Sequence, residues 1–178
     1  MAEGKRGFSD MLGALGHLWL EYLAFVVSFL TIANAWMSHH SIFRLITRTD
    51  QTLVYLNTLL LLVVAFIPFP TALISQYEED GAGRAAMLVY GTTVTLLAVV
   101  YAFLWWYAAH DRRLIAPETP QTALDEIRRR TRFTVPLYLG VAVLSLFLNV
   151  FGPLPILLVA ILYPFSFPIE GGGRTPRA

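Results

Sequence analysis

The sequence predicts an all-α integral membrane bundle of about five transmembrane helices, and three observations carry that expectation. Hydrophobic residues make up 56% of the 178 and charged residues only 14%, where a soluble globule carries about 25% charged. Mean hydropathy is correspondingly high, at +0.59. The missing charge leaves long apolar runs, each close to the roughly 20 residues that cross a bilayer as a helix. The basic residues gather between alternate runs, as the positive-inside rule requires.

Taken in order, residues 18–37 form the first candidate span, with only Glu21 charged, near its start. Residues 52–77 form the second. It contains "PFP" at 68–70, whose prolines remove backbone donors and should kink or end the helix. Residues 85–109 form the third and end in an aromatic cluster suited to a membrane interface. The last apolar run, from Phe133 to Ile169, is too long for one helix. Gly152, Pro153 and Pro155 divide it into spans at 133–150 and 153–167. These five spans make a single domain over residues 1–170, followed by a short tail at 171–178.

The loops set the orientation. Arg44 and Arg48 lie between the first two spans. Six arginines (Arg112, Arg113, Arg128, Arg129, Arg130 and Arg132) lie between the third and fourth, and Arg174 and Arg177 follow the fifth. That side is therefore expected to be cytoplasmic, with Lys5, Arg6 and Arg84 opposite and the C-terminus inside. Within the long loop, "TPQTALDEIRRRTR" (119–132) reads as a short surface helix with acids before bases, matching the helix dipole. A solvated linker is the plainer reading of its charges, and contact with anionic lipid the alternative. No cleavable leader is evident.

Several function classes are excluded early. The chain has no cysteine, which removes disulfides, thiolate nucleophiles and zinc–thiolate sites. A formal net charge of +1 gives no reason to expect nucleic-acid binding. No buried acid–base pair, serine triad or phosphate-binding loop stands out, so catalysis has no candidate and no cofactor is implied. His39 and His40 are neighbours on a helix and project about 100° apart. A metal or haem would need His110 or a second subunit to complete its ligands, and no ligand spacing supports one.

The polar residues that remain sit in "WMSHHSIFRLITRTDQTLVYLN", residues 36–57. Asn34 and Asn57 interrupt apolar helices, where an amide is costly unless it bonds another helix. A short loop brings Asn57 near Trp36, His39 and His40. The four residues read either as a polar cluster tying two helix ends or as part of a gate or ion path.

These residues also carry a resemblance. "WLEYLAFVVSFLTIANAWMSHHSIF" and "DQTLVYLNTLLLLVVAFIPFPTALI" resemble the second and third helices of the transmembrane protein 175 family, the lysosomal and prokaryotic potassium channels. The matching positions are Trp19, Tyr22, Ser28, Phe29, Ile32, Trp36, His39, His40, Phe43, Asp50, Leu53, Asn57, Pro68, Phe69, Pro70 and Thr71. The likeness is strong over about residues 18–110 and carries little motif beyond. It implies a six-helix unit that assembles as a homotetramer and passes potassium ions across a prokaryotic plasma membrane, without the carbonyl filter of ordinary potassium channels. It further implies that Trp36, His39, His40 and Asn57 anchor the family's first, pore-lining helix at its cytoplasmic end.

That helix opens with an arginine and a Phe-Ser-Asp motif. Here Arg6 and "GFSD" (Gly7–Asp10) supply the letters, but "MLGALGHLWLEY" follows directly and leaves no room for a span before Leu18. Either a first helix lies upstream of Met1 and the motif is coincidental, or the helix has been lost. Topology favours the former, because one more span returns the N-terminus to the cytoplasm. No pore-lining residue is therefore assigned. The reading from another class is a non-conducting membrane protein with a structural or partner-binding role.

Overall fold

A computed structural model describes residues 18–76 and 81–147. The expected fifth span, the break before it, the C-terminal tail and the Arg6–"GFSD" stretch lie outside the described residues. Among the described residues the regular elements are helices, α1 (Trp19–Phe43), α2 (Gln51–Phe66), α3 (Pro68–Gln76), α4 (Gly81–Ala109) and α5 (Gln121–Phe147), with a single 3-10 turn at His110–Arg112. Three stretches among the described residues are long and apolar enough to cross a membrane, Glu21–Phe43, Gln51–Gln76 and Gly83–Arg112.

Each boundary has a local cause. Asp50 starts α2 from an extended backbone (φ −125°, ψ 171°), its carboxylate accepting the Leu53 N–H at 2.9 Å; this is the side-chain capping that an exposed helix start requires. Pro68 cannot donate to the preceding turn. The ladder therefore tightens at Ile67, whose N–H reaches Val64 O at 3.2 Å. Beyond the prolines the Thr71 hydroxyl donates to Ile67 O at 2.9 Å. The two prolines thus bend one spanning segment without ending it. After α4 the chain turns through Asp111 (φ 51°) and Arg112 (φ 53°), both left-handed. The Arg112 guanidinium holds that turn by donating to Pro117 O, Thr119 O and Gln121 Oε1 at 3.1, 3.1 and 2.9 Å.

α5 departs from the sequence expectation of a short surface helix followed by a separate span. It runs unbroken for 27 residues through the change from charged to apolar. The physical reason is that polarity does not terminate a helix; breakers do, and none lies between Arg132 and Phe133. Pro136 lies inside the helix, where it lacks the N–H for one ladder bond and crowds the Arg132 carbonyl, yet the helix continues beyond it.

α4 is the axis of the bundle, packing against α2, α3 and α5, while α1 packs on α3. Within the most apolar 18 residues of each stretch, half are buried in the 83–112 stretch, against 22% and 28% in the other two. Its Leu104, Trp105 and Ala108 join Leu53, Leu60 and Val63 of α2 in the main core. Tyr90, Val94 and Ala98 meet Val27 of α1 and Tyr138 of α5 in a second cluster. Two tyrosines of α4 reach α1. Tyr101 donates to Ala35 O, and the Tyr90 hydroxyl lies 3.4 Å from Thr31 Oγ1. The outward faces stay apolar, with Phe25, Phe29 and Leu62 all more than 60% exposed, as a helix surrounded by hydrocarbon or by other helices requires.

Candidate functional site

The end of the bundle that carries the α1–α2 and α4–α5 connections is stitched by backbone. Ile46 and Ile115 form an isolated antiparallel bridge, with Thr47 N–H on Leu114 O at 2.9 Å and Ala116 N–H on Leu45 O at 3.2 Å. Two polar clusters sit just inside this end.

The first joins α1 to α2. His39 lies in the last turn of α1, and its Nε2 is 2.9 Å from the Asn57 Oδ1 of α2. With an amide oxygen as acceptor, the imidazole donates from Nε2. Trp36 and Phe43 stack on either side of the same ring, with centroids at 5.7 Å and 4.0 Å and interplanar angles of 12° and 16°. Positions 36, 39 and 43 fall on one helix face by the 3.6-residue repeat. The ring is thereby held flat and its proton aimed at one atom. Trp36 is 65% exposed, so this stack forms an outward surface of α1 beside α2. The structure thus brings Trp36, His39 and Asn57 together. It does not bring His40 to them: His40 is exposed and makes no ring contact or hydrogen bond with the other three, because one residue rotates it by about 100°.

The second cluster lies between α2 and α4, and the sequence reading did not assemble it. Besides capping α2, Asp50 accepts the Tyr107 hydroxyl at 2.6 Å, a length typical of a hydroxyl bonded to a carboxylate. Arg113 stands 3.4 Å from the same carboxylate and 5.4 Å above the Tyr107 ring, within cation–π range. The Tyr107 hydroxyl, the Leu53 N–H and the Arg113 guanidinium together hold the Asp50 carboxyl below the usual carboxylate range, against a smaller opposing effect of desolvation. Asp50 before an apolar run was a visible cap signal. Its partners lie 57 and 63 positions further on, and no spacing rule links them.

His110, the third histidine considered for a metal, stands 3.5 Å from Asp111 and against Trp106. Among the described residues no three His, Cys, Asp or Glu side chains gather closely enough to hold a metal ion.

Set beside known proteins, the chain is 39% identical over 153 residues to a potassium channel of Chamaesiphon minutus, covering 86% of this chain and 75% of that one. The chain belongs to the TMEM175 family. The family profile described as Endosomal/lysosomal potassium channel TMEM175 matches residues 3–68, a stretch that takes in the Gly7–Asp10 motif together with Trp36, His39, His40 and Asn57. A potassium channel of Streptomyces collinus is 37% identical over 81% of this chain and 70% of its own length. The human endosomal/lysosomal proton channel TMEM175 is 27% identical over 86% of this chain, which spans 32% of that larger protein. In three dimensions the chain is similar to the crystal structure of a lysosomal potassium-selective channel TMEM175 homolog from Chamaesiphon minutus. The TM-score is 0.72 at 34% identity, covering 90% of this chain and 80% of that one. This TMEM175 relative is thus a membrane protein of an ion-channel family, a class distinct from enzymes.

Proposed function

We propose that the chain is a subunit of a potassium channel, passing potassium passively down its gradient as a homotetramer in a prokaryotic plasma membrane. The observation that carries this reading is the 39% identity to the Chamaesiphon potassium channel across 86% of the chain; the potassium-selective structural relative adds to it. The end holding the two stitched connections is assigned to the cytoplasm, because Arg44, Arg48, Arg112 and Arg113 collect there. Trp36, His39 and Asn57 act as a structural anchor between helices rather than as ion ligands. The His39 proton is already directed at Asn57, so the one side-chain oxygen of the cluster is engaged and no carboxylate or carbonyl cage is offered to a cation by these three residues.

The test is potassium, sodium and proton flux through the purified 178-residue chain in proteoliposomes. Potassium flux exceeding sodium flux is the expected result. Proton flux without potassium flux would move the chain toward the activity named for its human relative. No flux from folded, inserted protein would favour the non-conducting, structural or partner-binding reading.

A further inference from the structure

Tyrosine hydroxyls carry α4, the axis of the bundle, across to α1, and one of them closes on the carbonyl that leads to His39. Tyr101 is buried and donates to Ala35 O. That carbonyl is the one the His39 N–H takes in the ladder of α1, and the Tyr101 hydroxyl lies beside this N–H as well. A carbonyl oxygen has two lone pairs, so it serves the ladder and the tyrosine together, and α1 stays helical from Trp19 to Phe43. The imidazole of the same residue meets Asn57 of α2 at 2.9 Å. His39 is thus where three helices are joined, by its ring to α2 and by its backbone turn to α4.

The rotation of α1 about its own axis decides whether that ring reaches Asn57. A turn of about 20° carries an atom about 6 Å from a helix axis through roughly 2 Å. A hydrogen bond of this length does not survive such a shift. Burial holds the angle weakly. Along the middle of α1 the buried residues are no larger than valine (Val27, Ser28, Thr31 and Ala35), while Phe25, Phe29 and Trp36 face outward, each more than 60% exposed. Hydrocarbon is as apolar as a bundle interior, so it exerts little preference between these faces. A directional contact can hold what burial does not, and Tyr101 makes one a single helical turn before the ring.

We propose that Tyr101 is the positioning residue of the α1–α2 anchor: its hydroxyl sets the rotation of α1 against α4 and so aims the His39 ring at Asn57. The proposal deepens the anchoring role given above to Trp36, His39 and Asn57 and rests on it, but not on conduction. The Tyr90 hydroxyl, 3.4 Å from Thr31 Oγ1, spans the same two helices about two turns from His39 and provides the internal control.

The experiment is nuclear magnetic resonance of the full chain in detergent with nitrogen-labelled histidine, the His39 signal being assigned by its loss in His39→Phe. The natural chain should show His39 as one tautomer, protonated at Nε2. Tyr101→Phe keeps the packed ring and removes the hydroxyl. It should leave His39 as a mixture of tautomers and speed exchange of the Nε2 proton with water about threefold to tenfold, the scale of one buried hydrogen bond. Tyr90→Phe should leave both signals as they are. A tyrosine that only stabilised the bundle would lower the melting temperature and leave the tautomer unchanged; that result overturns the proposal, as does an equal effect from Tyr90→Phe. If Tyr101→Phe does not fold, the natural chain decides: a nuclear Overhauser effect from the Tyr101 hydroxyl proton to the His39 amide proton is expected, and its absence overturns the proposal. A natural His39 without a fixed Nε2 proton would overturn the anchor and this proposal with it, whatever the flux measurement shows.

Discussion

Asn57 puts an amide where α2 is otherwise apolar, and the fold meets its oxygen with a ring nitrogen from α1. Hydrogen bonds between helices in a membrane contribute about 0.5–1.5 kcal/mol each. Replacing Asn57 by Leu should lower stability by about that amount. A double-mutant cycle with His39→Phe should give a coupling energy of similar size, because the phenyl ring preserves the stack on Trp36 and Phe43 but donates nothing. His40→Ala should show no coupling to Asn57, and thermal unfolding in detergent reads all three. If the channel reading holds, neither Asn57 nor His39 should alter the potassium-to-sodium ratio; a changed ratio in either variant would place the cluster on the ion path. At this scale the sequence was legible in part. Residue types and loop length pointed to Trp36, His39 and Asn57, but they could not exclude His40, since adjacency in sequence is not adjacency on a helix face.

At the scale of elements, Asp50 does three things at once: it caps α2, accepts from Tyr107 on α4 and pairs with Arg113 beyond α4. Asp50→Asn keeps the capping oxygen and loses the charge, so it should destabilise less than Asp50→Ala, which loses both. The pH dependence follows in sign. A carboxyl held below its ordinary range in the folded chain contributes stability that is fully present above about pH 4 and is lost as pH falls through the depressed folded value. The melting-temperature gap between the natural chain and Asp50→Asn should therefore be constant between pH 5 and 8 and should close only in strong acid. A gap that closed near pH 6 would show that another group controls this junction. Helix existence was legible from the apolar runs, and the bend at the prolines from their missing donors. The length of α5 was not. A change from charged to apolar residues reads as a boundary in composition, whereas the backbone ladder is indifferent to polarity and here runs on even past Pro136.

For the whole molecule, the outward faces of α1 and α2 carry large apolar side chains, Phe25 at 70% and Leu62 at 66% exposure, and these must meet lipid or further copies of the chain. The homotetramer proposed above predicts a mass of about four times 19.9 kDa by native mass spectrometry in mild detergent; a single-copy mass under conditions that preserve flux would overturn it. The sequence by itself determined the class of protein and which described stretches are apolar enough to cross, because the absence of water forces long apolar runs into helices whose backbone groups bond internally. Its spacing also brings Arg44, Arg48, Arg112 and Arg113 to one end of the bundle, because each apolar run between them reverses the chain. Only the tertiary structure decided that α4 is the axis, that Asp50 meets Tyr107 and Arg113, and that Tyr101 reaches Ala35. These depend on which helix faces are pressed together by packing, and packing joins positions as distant in sequence as Asp50 and Arg113, beyond the reach of any local pattern.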